Sequence, residues 1–99
     1  MNNKAKILLE IKKYIQERIR EGEEDIAYWD KGQNLYAEII ANNIAECNEK
    51  LKSLLAVETI DKEMIEELIN TETDDSLILI YEDIIYLLSS INKPEEGEQ

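Results

Sequence analysis

Apolar residues recur along the first half of this chain at Leu8, Ile11, Ile15, Ile19, Ile26, Trp29, Tyr36, Ile40, Ile44, Cys47, Leu51 and Leu54, in steps of three, four and seven. Such steps stack side chains on one side of an α-helix, whereas a strand needs a period of two. The stripe keeps phase through Gly22 and Gln33. It therefore describes either one helix of about fifty residues, roughly 75 Å long at a rise of about 1.5 Å per residue, or two helices that share a pattern. Two places offer a break. One is Glu21-Gly22-Glu23-Glu24 with Asp25 as a cap; the other is Asp30-Lys31-Gly32-Gln33-Asn34, where glycine ends one helix and asparagine starts the next. The break is expected near Gly22, although a glycine inside a helix costs only about 1 kcal/mol relative to alanine and packing can override it.

The second half reads more directly. Thr59 or Asp61 can cap a short helix through Met64, Ile65, Leu68 and Ile69 that ends at the polar cluster Asn70-Thr71-Glu72. Thr73 is the expected cap of a last helix from about Asp74 to Ile91, with Asp74 and Asp75 in the first turn, where the positive end of the helix dipole favours them. Leu77-Ile78-Leu79-Ile80 has the composition of a strand, but no other segment offers it a partner. Residues 93–99 hold Pro94 and no apolar anchor, which predicts a disordered acidic tail.

These segments predict an all-α fold, a small bundle of three or four helices with a long helix or helical hairpin in the N-terminal half. A coiled-coil dimer is the runner-up, and it requires a helix continuous through both Gly22 and Gly32. A length of 99 residues suits one helical domain, expected over residues 1–92. No run of 18 apolar residues and no secretory leader stand out, so a cytoplasmic protein that neither enters nor crosses a membrane is expected. Cys47, the single cysteine, cannot form an internal disulfide, and its place on the stripe predicts a buried core thiol.

Charge narrows the partners. With 23 Asp and Glu against 11 Lys and Arg and no His, the net charge is -12, which repels phosphate backbones and anionic lipid and attracts basic protein surfaces. The layout is uneven. Residues 1–21 carry six bases and three acids, whereas residues 22–99 carry five bases and twenty acids. The candidate partner-binding carboxylates are Glu58, Asp61, Glu63, Glu66, Glu67, Asp74, Asp75, Glu82 and Asp83. Pairs three or four apart on a helix stand about 5–6 Å apart, near the phosphate spacing of one nucleic-acid strand, so such a face can imitate a phosphate track. An ordinary solvated acidic face has the same sequence pattern.

Two apolar strips lie off the main stripes. On the last helix Leu77, Ile80, Tyr81, Ile84, Leu88 and Ile91 form the inward face, and Leu79 and Tyr86 lie opposite. In the first half, Tyr28, Leu35 and Ile39 stand roughly a quarter-turn from Trp29, Tyr36 and Ile40, with Gly32 beside them. Each strip is either sandwiched within the chain or offered to another chain, including a second copy in a homodimer.

Catalytic motifs are mostly missing: without His there is no imidazole base, and one Cys cannot complete a usual zinc set. Neither an enzyme nor a cofactor is expected. One constellation, Glu46, Glu49, Glu58 and Asp61, resembles the ExxE plus ExxD carboxylates of all-α nucleotide pyrophosphohydrolases of the MazG type. The resemblance implies magnesium held by these four carboxylates and water activated for attack on a phosphate. The eight residues between the two pairs are fewer than the family's usual loop, and the second pair falls at a helix start rather than mid-helix, so the chain departs from the family's pattern there.

In size, charge and helicity the chain also resembles small acidic helical inhibitors from phages and other mobile elements, such as anti-CRISPR proteins and DNA mimics, or bacteriocin immunity proteins. The expected function is thus a small acidic protein-binding module or inhibitor that occupies a basic surface of a nucleic-acid-handling protein. The alternatives are a structural or regulatory homo-oligomer and the magnesium-dependent hydrolase.

Overall fold

The computed structural model describes residues 3–32 and 34–90. Among them are four α-helices and no strand: α1 (Asn3–Asp30), α2 (Leu35–Leu55), α3 (Lys62–Thr71) and α4 (Asp75–Ser89). The fold is all-α, as the periodicity requires. Ile91 and the expected tail at residues 93–99 lie outside the described residues. No helix among those described is long and apolar enough to cross a membrane.

The chain divides into two compact units, one formed by residues 1–11 with 59–99, the other by Lys12–Glu58. The second is a helical hairpin. Its corner corrects the expected break: α1 runs through Gly22 without interruption and stops at Asp30, and the chain reverses before α2 begins at Leu35. The reason is packing. Asn48, the only buried polar residue among those described, donates from Nδ2 to the Ile19 carbonyl at 3.1 Å. A Cβ on Gly22 would lie 2.8 Å from Asn48 Nδ2 and 2.9 Å from its Cγ. Gly22 is there to let α2 approach, and the loss of about 1 kcal/mol of helix propensity is offset by the packing that this approach allows.

The connection between α1 and α2 is held by local bonds. Gly32 N donates to the Trp29 carbonyl at 2.9 Å, and Asn34, with extended backbone, caps α2 by accepting from Ala37 N at 2.8 Å. No described glycine has a positive φ, so Gly32 is not a left-handed terminator. It is small because a Cβ would meet Ala37 Cβ at 2.7 Å. The same turn ends the single fifty-residue helix that the coiled-coil alternative needs.

Across the turn the stripe does not keep phase. Ile11, Ile15 and Ile19 are buried as predicted, and so are Leu51 and Leu54, but the buried residues of α2 begin at Ala37 and Ala41. Tyr36, predicted inward, is exposed, and Ile40, Ile44 and Cys47 are half-buried along the flank. The Cys47 thiol is therefore not the core group expected of it. At the N-terminal end the inward residue is Ile7 rather than Leu8. Small alanines allow closer helix approach than the larger side chains one position away, and that selects the face.

In the other unit α3 packs against α4. Asp61, not Thr59, caps α3, its Oδ1 accepting from Met64 N at 2.9 Å. The α4 cap is Asp74, one residue past the expected Thr73, with Oδ1 accepting from Ser76 N at 2.9 Å and Leu77 N at 3.2 Å. Glu72 prepares this start by accepting from Thr73 N at 3.1 Å and Asp74 N at 3.2 Å. Leu77, Ile80, Tyr81, Ile84 and Leu88 face inward as predicted, and Ile65 of α3 and Ile60 before it are also buried. Asn3 Nδ2 reaches the Ser90 carbonyl at 3.4 Å within this unit.

Candidate functional site

Helical periodicity gathers the carboxylates of the α3–α4 unit. Glu63, Glu66 and Glu67 are exposed and, three and four residues apart, share one side of α3 with Asn70. On α4 the exposed positions are Asp75, Ser76, Leu79, Glu82, Asp83 and Tyr86. At 100° per residue these fall within about a third of the circumference, so Leu79 and Tyr86 form an apolar strip flanked by Asp75, Glu82 and Asp83. Leu79 is 62% and Tyr86 70% exposed, so α3 and the rest of its own unit leave that strip uncovered.

The two acidic faces meet at a groove of about 560 Å³ lined by Glu66, Ile69 and Asn70 of α3 and by Glu82 and Ile85 of α4. Lys62 is the one base in residues 59–90, against nine acids. Among the described residues Glu63, Glu66, Glu67, Asp75 and Glu82 have no ion-pair partner, whereas Arg18–Glu21, Arg20–Glu17, Arg20–Glu24 and Lys52–Glu49 pair on α1 and α2. Of the other predicted residues, Asp61 and Asp74 are occupied as helix caps, and Asp74 is half-buried. Glu58, exposed, belongs to the Lys12–Glu58 unit.

On the hairpin the second apolar strip is exposed as well: Tyr28 68%, Leu35 70% and Ile39 48%, joined by Tyr36 at 69%. The predicted strip omitted Tyr36 because the shared phase placed it inward. The rings of Tyr28 and Trp29 meet edge to face at 5.4 Å, and those of Trp29 and Tyr36 at 6.4 Å. Next to them is a groove that no sequence signal announced, since it depends on where the turn falls.

Glu46 and Glu49, the first half of the carboxylate set that resembles the pyrophosphohydrolase pattern, are exposed on α2. Among the described residues no group of three or more His, Cys, Asp and Glu side chains is placed to hold a metal ion. No protein-family model matches this chain, and no curated protein or solved structure is significantly similar to it.

Proposed function

We propose that this protein is a small acidic binding module whose α3–α4 face docks on a basic surface of a partner protein, in the manner of an inhibitor of a nucleic-acid-handling protein. The observation that carries this reading is an exposed Leu79 and Tyr86 flanked on α4 by Asp75 and Glu82, next to a groove where Glu82 meets Glu66 of α3, with Glu63 and Glu67 exposed on α3 and none of these five carboxylates ion-paired among the described residues. An apolar centre with a charged rim is the layout of a protein interface rather than of a merely solvated face. The helical spacing of the acids suits a groove that otherwise holds phosphates. The mobile-element inhibitors that the chain resembles in size and charge are the class this reading points to.

The test compares wild type with a variant in which Glu63, Glu66, Glu67, Asp75 and Glu82 are changed to Lys. Asp61 and Asp74 stay untouched, because their loss would unfold helix starts rather than probe binding. Both proteins serve as bait in a native-host lysate, with circular dichroism as the folding control. A partner retained by wild type, released by salt and lost with the variant, and whose nucleic-acid binding the wild type competes away, is the expected result. The same proteins retained by both baits, or none released by salt, would overturn the reading.

A second reading, homo-oligomerisation, is favoured by the exposed apolar residues themselves, Leu79 and Tyr86 above all. Changing both to Glu converts such an oligomer to monomers in light scattering. A wild type that is monomeric at high concentration eliminates it.

A further inference from the structure

The corner of the hairpin holds a groove of about 360 Å³ lined by Trp29, Asp30, Gly32, Asn34, Leu35 and Glu38. Its apolar wall is Trp29, half-buried, and Leu35, exposed, with the rings of Tyr28 and Tyr36 against Trp29. Gly32 keeps the turn tight, since a Cβ there would crowd Ala37 at 2.7 Å and the Trp29 carbonyl at 3.2 Å.

The polar groups of the groove are of one sign. Asn34 Oδ1 is already used to accept from Ala37 N, so it caps α2 and leaves Asp30 and Glu38 to set the field. α1 ends on Asp30 with no base in its last turn, so the negative end of the helix dipole adds to that carboxylate. Residues 23–38 hold five acids against Lys31 alone. Both carboxylates are exposed, and neither has an ion-pair partner among the described residues.

We propose that this groove docks an arginine side chain presented by an exposed segment of a partner protein. An indole and two carboxylates lining one groove suit a planar, weakly hydrated guanidinium, which stacks on an aromatic ring and donates in a fork to an oxygen acceptor. Lysine, a compact and strongly hydrated charge, gains less from the ring. Trp, Tyr and Arg are also the residues in which interface binding energy concentrates. A second copy of this chain is a poor occupant: a symmetric contact would bring the same acids against Asp30 and Glu38, and its two arginines, Arg18 and Arg20, are already paired with Glu21, Glu17 and Glu24. The site is independent of the α3–α4 face: it lies in the other unit and has its own readout.

That readout is fluorescence, since Trp29 is the only tryptophan. The full chain is titrated with short peptides that differ only in carrying arginine, lysine, leucine or glutamate. A saturable change with the arginine peptide is expected, several-fold weaker with lysine and absent with glutamate. The Asp30→Asn, Glu38→Gln double variant, helical by circular dichroism, should bind the arginine peptide about tenfold more weakly or worse, the scale of losing a charge-assisted hydrogen bond. The variant that reverses the α3–α4 carboxylates should respond like wild type. No response to arginine, an equal response to leucine, or an unchanged double variant would overturn the proposal. So would a spectrum that shifts with protein concentration alone, which would mean that a second copy fills the groove.

Discussion

Gly22 and Asn48 depend on one another, and the dependence predicts a change of sign. Gly22→Ala adds about 1 kcal/mol of helix propensity but drives a methyl into the Asn48 carboxamide and displaces its bond to the Ile19 carbonyl. A buried amide without a partner costs about 1–3 kcal/mol, so the single substitution should destabilise the protein. In an Asn48→Ala background the same substitution should stabilise it by up to about 1 kcal/mol, because only the propensity gain remains. Urea denaturation of the four proteins in this cycle measures both signs; the same sign in both backgrounds would refute the packing account. Also at this scale, Glu17 is held below the ordinary glutamate pKa of 4.5, chiefly by its hydrogen bond from Arg20. Because the folded value is the lower one, the contribution of the pair is present above pH 4.5 and is lost as pH falls through the folded value. Full exposure makes that contribution small. NMR titration should find the Glu17 pKa raised to its ordinary value in Arg20→Gln, and an unchanged pKa would remove Arg20 as the cause.

Helix starts in this chain are set by single carboxylates. Asp74 satisfies two amides at the head of α4 and Asp61 one at the head of α3, each an N-terminal donor without an intrahelical partner. Replacing either with alanine should cost about 0.5–2 kcal/mol, whereas Thr73→Ala should be nearly neutral. Chemical denaturation distinguishes these, and a larger loss at Thr73 than at Asp74 would contradict the observed cap. Sequence spacing located α3 and α4 to within a residue or two because caps and the 3.6-residue period are local properties. It misplaced the cap of α4 because Thr73 and Asp74 are both good caps, and Glu72 decides between them by bonding both following amides. On α4 the inward face was legible for the same reason. Whether Leu79 and Tyr86 were covered was not, since a covering element is not encoded near them in the chain.

For the molecule as a whole the net charge is -12, and residues 59–90 hold nine acids against Lys62 alone, so like charges stand near one another there with little to neutralise them. Self-repulsion of this kind weakens a compact state. Salt shortens the screening length from about 10 Å at 0.1 M to about 3 Å at 1 M, so it should relieve the repulsion while loosening the exposed ion pairs of α1 and α2. The repulsion involves more groups, so the melting temperature should rise with salt, by roughly 4–8 °C for each kcal/mol relieved. Thermal melts followed by circular dichroism at the two concentrations test this; a lower melting temperature in high salt would show that the ion pairs dominate.

The amino-acid sequence by itself determined the all-α class, the positions of α3 and α4, the inward face of α4 and the sign of the charge. Each follows from residues within about a turn of one another or from composition. Only the tertiary structure decided that α1 continues past Gly22, that α2 turns Ala37 and Ala41 inward in place of Tyr36, and that Glu66 and Glu82 border one groove. Those outcomes depend on side chains distant in sequence, such as Asn48 lying where a Gly22 side chain would be. Period and propensity carry no information about contacts of that kind.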